Sequence, residues 1–163
     1  MIDAIRIESK ASILGQKADP LGVVVSITDP YWSVALQSGW AAVLPLTFHD
    51  ATRPAQFREL FGGHHKRVLL EFVSRWLAEK ESFTLYVHCD YGISRSSAVA
   101  VALSEQLQIP MESWDGDGSV LSPNAHVLAV MRGDALGVHA VPRARRKGWR
   151  DVLDRLLSIG QAD

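Results

Sequence analysis

The segment Phe83–Leu103 constrains this chain more than any other. Phe83-Thr84-Leu85-Tyr86-Val87 is an apolar run of strand length, and Ser97-Ala98-Val99-Ala100-Val101-Ala102-Leu103 opens a helix. Only a short loop joins them, so a strand feeds a helix directly, as in layered α/β folds. The remaining pattern agrees. Ile5 and Ile7 alternate as in a first strand, and Gly22–Thr28 reads as a buried second one stopped by Asp29-Pro30. A third strand is expected over Ala41–Leu46. From Gln56 the apolar spacing turns helical, with Phe57, Leu60 and Phe61, then Val68, Leu69, Phe72, Val73, Trp76 and Leu77. Gly62-Gly63 should divide this stretch into a short helix and a longer one. The helix after the loop should end near Ile109-Pro110, and Trp114–Gly118 is a turn-rich loop. Pro123 should open a helix carrying Val127, Leu128, Val130 and Met131. Trp149, Val152, Leu153, Leu156 and Leu157 mark a final amphipathic helix. The expected architecture is an α/β fold with a central, largely parallel sheet flanked by helices, in one domain over residues 1–163.

The loop itself is Val87-His88-Cys89-Asp90-Tyr91-Gly92-Ile93-Ser94-Arg95-Ser96-Ser97. Its backbone N–H groups would sit at a helix N-terminus, where anions bind. Arg95 can grip two phosphate oxygens with its planar fork. Cys89, the only cysteine of the chain, should be reactive near neutral pH in so electropositive a place. These residues in register describe a phosphate cradle built around a nucleophile, with His88, Asp90, Tyr91, Gly92, Ile93, Ser94 and Arg95 as the phosphate-binding loop. Cys89 would attack phosphorus in line, form a phospho-cysteine, and release phosphate to water. Ser96 can donate a hydrogen bond to the departing thiolate, and His88 should order the loop through backbone hydrogen bonds. The leaving group needs a proton, so a carboxylic acid should overhang the cradle. Asp50 is the first candidate, because it follows a strand expected to lie beside the Cys89 strand. Asp29, also just past a strand, is the second.

The arrangement resembles the cysteine-dependent protein tyrosine phosphatases, most closely the dual-specificity branch, whose signature is His-Cys, five residues, Arg, Ser. Leu121-Ser122-Pro123-Asn124 looks like the Ser-Pro-Asn that opens a late helix in that branch. Val43–Asp50 resembles its strand and acid-bearing loop, so the likeness runs from about residue 40 to residue 132. It implies a three-layer phosphatase-like fold in a compact, prokaryotic-type member. It also implies a phosphorylated protein or peptide as substrate, phosphotyrosine first, with phosphoserine and phosphothreonine open. Asn124 would then support the loop by a hydrogen bond. Two departures stand out. Asp90-Tyr91 replaces the usual small residue before the glycine, and Met111–Val120 is too rich in Gly and Asp for the family's intervening helix. An acidic Asp90 and a loop without lysine argue against inositol polyphosphates.

Bulk properties narrow the alternatives. The 17 basic and 18 acidic residues nearly cancel, so no nucleic-acid surface is expected overall. The local cluster Arg143-Ala144-Arg145-Arg146-Lys147 reads as a solvated turn. The lone cysteine suits a reducing compartment, and neither a signal-peptide core nor a membrane span is evident. A cytoplasmic protein without cofactor or metal is expected. His64, His65, His126 and His139 show no metal-ligand spacing, and His64-His65 should be solvated. Tyr31, Trp32 and Trp40 are candidates for a substrate rim, although aromatic residues more often build core. Sulfur transfer of the rhodanese kind and arsenate reduction also use a loop-borne cysteine. The first usually lacks the Gly-x-Ser-Arg-Ser ending and the second commonly needs further cysteines. A phosphate-binding pseudo-phosphatase is the non-catalytic alternative.

Overall fold

Five strands run side by side in one direction in the computed structural model, which describes residues 1–116, 118 and 120–133. They are β1 (Ile2–Ser9), β2 (Gly22–Thr28), β3 (Ala42–Thr47), β4 (Phe83–Cys89) and β5 (Met111–Ser113), in the order β3-β2-β4-β1-β5. Every pairing is parallel. The helices are α1 (Lys10–Gly15), α2 (Gly63–Glu79), α3 (Arg95–Leu107) and α4 (Ala125–Arg132). The expected α/β fold, a parallel sheet flanked by helices, is the one observed.

Burial explains the strand patterns. β2 and β4 are interior strands covered on both faces, and so read as continuous apolar runs. β3 is an edge strand, alternately exposed, and tolerates Pro45 for that reason. Val23, Val25, Ile27, Leu85 and Val87 face a large core completed by Leu69, Leu70 and Val73 of α2, Ala98, Val99 and Ala102 of α3, and Val127 and Met131 of α4. On the other face, Val24 and Tyr86 pack with Ile13 of α1 and with Leu36 and Trp40. Because all strands are parallel, Ser9, Thr28, Thr47, Cys89 and Ser113 end at one edge of the sheet. Ligand sites of open α/β sheets form at that edge, where the strand order reverses. Here the reversal falls around β4.

Several expectations need correction. The stretch Gln56–Phe61 is not helical but irregular. Phe57 takes a positive φ of 62° there, which ends any helix, and the apolar spacing arises because Phe61 alone of the three is buried. β3 is not beside β4, because β2 lies between them. The short α1 and β5 carry too few residues for a periodic signal and were not expected. α4 begins at Ala125 with Asn124 as its cap, so Pro123 precedes the helix instead of opening it. The final amphipathic helix, His139 and the basic cluster Arg143–Lys147 lie outside the described residues. Among the described residues, no helix is long and apolar enough to cross a membrane.

Candidate active site

β4 delivers Cys89 as its last residue, and α3 begins six residues later with Arg95. The intervening turn closes on itself. Cys89 is buried, with its Sγ 3.2 Å from the Oγ of Ser96, the second residue of α3. The Arg95 guanidinium is only 4% exposed, and both terminal nitrogens are engaged. One terminal nitrogen donates to Asp29 Oδ1 at 2.7 Å and to the Phe48 carbonyl at 2.9 Å. The other donates to Asp90 Oδ2 at 2.7 Å. Its Nε is buried with no partner, and a buried donor left unmatched costs about 1–3 kcal/mol. Among the described residues, no hydrogen bond uses the backbone N–H of Tyr91, Gly92, Ile93 or Ser94. Ser94, the N-cap of α3, does not cap it with its side chain. The helix therefore starts with open donors, and the macrodipole adds partial positive charge there.

Neighbouring elements fix this loop from below and from the sides. His88 is fully buried, and its Nε2 lies 2.8 Å from Ser26 Oγ on β2. Burial pushes the His88 pKa down to about 4, against weaker opposing pulls from the Cys89 backbone and the Asp90 carboxylate. The ring thus anchors the strand end as a neutral group. Its Nε2 reaches a side chain on the next strand. Gly92 has φ 73°. A Cβ there would lie 2.5 Å from Trp114 Nε1 and 2.9 Å from the Ser9 nitrogen, so only glycine fits. The Asp90 carbonyl accepts from the Lys10 N–H, the Ile93 carbonyl from Ser122, and the Ser94 carbonyl from Asn124. Ser97 Oγ donates to the carbonyls of Ile93 and Ser94.

Both candidate acids reach the loop, by different routes. Asp50 Oδ1 accepts from Ser94 Oγ at 2.8 Å and from Asn124 Nδ2 at 2.7 Å. Among the described residues no hydrogen bond is made to its Oδ2. Asp29 is instead ion-paired with Arg95. Asn124 supports the loop through its backbone N–H, braces Asp50 with its amide nitrogen, and caps α4 with its oxygen by accepting from His126 and Val127. Asn124 thus both bonds the loop and caps the helix. Tyr91 stands exposed on the loop, as do Tyr31 and Trp32 after β2. Trp40 does not join them, since its ring packs edge-on against Tyr86 at 4.9 Å. His65 is not solvated. It is buried, with Nδ1 accepting from the Gly62 N–H and Nε2 3.1 Å from the Thr47 carbonyl, and it fixes the start of α2 under β3. His126 Nε2 likewise lies 2.8 Å from the Phe61 carbonyl.

Ser26, Ser9, Trp114 and the Phe48 carbonyl also shape the site, and sequence reasoning missed them. Ser26 carried one usable signal, a lone hydroxyl in an otherwise apolar buried strand, which must find a polar partner. Ser9 and Phe48 act through backbone, and the Trp114 ring is placed by its position just after β5, which had no signature of its own. Among the described residues, no group of three His, Cys, Asp or Glu side chains is arranged to hold a metal ion. Compared with known proteins, the chain matches no protein-family model and no curated protein.

Proposed function

We propose that this protein is a phosphatase that hydrolyses phosphotyrosine in proteins through a phospho-cysteine, as the cysteine-dependent phosphatases that it resembles do. The observation that carries the reading is the set of unmatched donors around Cys89: Arg95 Nε and the N–H groups of Tyr91 to Ser94. A tetrahedral oxyanion on the sulfur side of the loop would satisfy them together. In the transition state of phosphoryl transfer the charge spreads over the equatorial oxygens, where fixed dipoles and a guanidinium act best.

In this mechanism the Cys89 thiolate attacks phosphorus, and the bond to the phenolic oxygen breaks. Asp50 Oδ2 supplies the proton that the leaving phenolate takes. Asp50 suits that role better than Asp29, because Asp29 is engaged by the Arg95 guanidinium, whereas Asp50 is held by the neutral Ser94 hydroxyl and Asn124 amide. Ser94 and Asn124 hold Asp50 over the loop through its other oxygen. Water then displaces the sulfur from phosphorus, with Asp50 taking the water's proton, and the Ser96 hydroxyl donates to the departing thiolate.

The test is hydrolysis of a small aryl phosphate with EDTA present. We expect turnover that disappears on alkylation of Cys89 and in Cys89→Ser. Activity that persists in Cys89→Ser would overturn the reading. One observation favours a second reading, phosphate recognition without efficient turnover. Two carboxylates, Asp29 and Asp90, already clasp Arg95 and offset its charge. A protein that binds orthovanadate or phosphate but turns over no aryl phosphate would fit that second reading.

A further inference from the structure

Among the described residues, the exposed Phe, Tyr and Trp side chains are Tyr31, Trp32, Phe57, Tyr91 and Trp114. Each stands on a loop leaving the carboxyl end of a strand, the edge where the cradle lies. The other exposed large apolar residues, Met1, Leu14, Leu21, Val43 and Val120, are scattered over the residue before β1, α1, the residue before β2, the β3 edge and the segment after β5, and need no explanation. Tyr31 is fully exposed, Phe57 is 90% exposed, Tyr91 76% and Trp32 71%.

Two of these residues also bear backbone strain. Tyr31 and Phe57 have φ of 71° and 62°. Both occupy the second central position of a turn. One turn is closed by the Trp32 N–H on the Asp29 carbonyl at 3.2 Å, the other by the Arg58 N–H on the Ala55 carbonyl at 3.1 Å. A positive φ there is the place where turns ordinarily use glycine or asparagine. The other non-glycine residue with positive φ, Gln108, simply ends α3, where that conformation is common. A bulky aromatic side chain that is both strained and solvent-exposed gains nothing from packing. Strain of this kind collects at ligand-binding sites.

The two turns are tied to the cradle. The first begins at Asp29, which grips Arg95. The second belongs to the loop that opens with Asp50 and returns where Glu59 bonds both the backbone and the ring of His49. We propose that Tyr31, Trp32 and Phe57, with Tyr91, form an aromatic rim that binds apolar side chains on either side of the phosphorylated residue of a peptide. The inference rests on the phosphatase reading for the group that fills the cradle. Aromatic residues on three separate loops suit an extended chain crossing the mouth, more than a small phosphate ester held at one point. Charge favours a peptide over an anionic membrane, because the carboxylates of Asp29, Asp50 and Asp90 ring the same mouth.

The test uses two phosphotyrosyl peptides that differ only in flanking residues, Leu and Phe against Ser and Gly. Binding is read by fluorescence anisotropy on Cys89→Ser, and turnover on the unmodified protein beside a small aryl phosphate. We expect the apolar peptide to bind about tenfold tighter, the scale of one or two aromatic contacts. In the double variant Trp32→Ala, Phe57→Ala that ratio should collapse toward one. Tyr31→Gly should lower the ratio while raising the melting temperature by about 2–4 °C, because the strain is relieved. Equal affinity for the two peptides would overturn the proposal, and so would a lower melting temperature in Tyr31→Gly. Saturable binding to phosphatidylcholine–phosphatidylserine vesicles that the double variant abolishes would also overturn it, in favour of a membrane. If the aryl phosphate is not hydrolysed while flank discrimination persists, the phosphatase reading falls and the rim stands.

Discussion

The turn from Cys89 to Arg95 and the two loops that overhang it, Asp29–Trp32 and Asp50–Phe61, are built on opposite principles. The turn is contiguous, begins and ends in buried residues, and is bonded to Lys10 at the start of α1 and to the Ser122–Asn124 segment, beside His88, which is anchored on β2. The overhanging loops leave two neighbouring strands, expose their aromatic residues, and touch the turn mainly through two carboxylates. Charge binding needs fixed dipoles, and rigid local structure supplies them. Proton delivery and substrate selection need groups that meet the substrate from outside, and mobile or strained loops on a rigid scaffold serve that end. The same edge of one sheet therefore holds a rigid half and an adaptable half.

Substitutions can break this division. The largest loss is expected for Arg95→Lys. A lysine keeps the charge but cannot serve Asp29, Asp90 and the Phe48 carbonyl while directing a further donor at phosphate. Turnover of an aryl phosphate should fall about 10³-fold or more, the scale seen when a guanidinium leaves a phosphoryl-transfer site. Circular dichroism should stay native. A variant that kept most of its rate would mean that the rigid half does not clamp phosphate.

Asp50→Asn tests the adaptable half. Loss of the proton donor should slow tyrosyl phosphate hydrolysis by roughly 10²–10⁴-fold. The loss should shrink for esters whose leaving groups depart without a proton, and the basic limb of the pH–rate profile should flatten. Asp29→Asn should cost less, because its amide oxygen can still accept from Arg95, and should keep that limb. If Asp29→Asn loses the limb and Asp50→Asn retains it, the roles of the two loops are exchanged.

How much of this was legible follows from the same division. The Cys89 turn could be read because its chemistry lies in consecutive residues between a strand and a helix, each long enough to show a pattern. β2 and β4 were readable as apolar runs for the reason that they are central. The Asp50 loop was half legible. Asp50 was singled out, but through a wrong neighbour relation, since β2 and not β3 lies against β4. Asp50 reaches the turn across β2 because its loop bends back over the sheet edge, and no local pattern encodes that path. Gln56–Phe61 imitated a helix because one buried phenylalanine and two others fell at helical spacing. His65 looked like surface beside His64, yet its partners, Gly62 and Thr47, are a turn and a strand away. Thr47, on another element, leaves no trace in local spacing.

The smallest expected effect concerns the foundation of the rigid half. His88 is neutral and fully buried, with its pKa pushed down to about 4, whereas an unfolded histidine titrates near 6.5. Between these values the unfolded chain binds the proton and the folded one does not. Stability should therefore be full above about pH 6.5 and fall as the pH drops toward 4, and His88 ceases to add to the fall below that. The span corresponds to roughly 3 kcal/mol at most, and urea unfolding at a series of pH values would measure it. His88→Asn removes the titration but leaves a polar group for Ser26, so the slope between pH 4 and 6.5 should flatten, whatever the variant's absolute stability. Ser26→Ala keeps the histidine and should retain the slope. A slope unchanged in His88→Asn would assign the acid sensitivity to the carboxylates of the overhanging loops. The rigid half would then not be the part of the molecule that acid reaches through its own buried base.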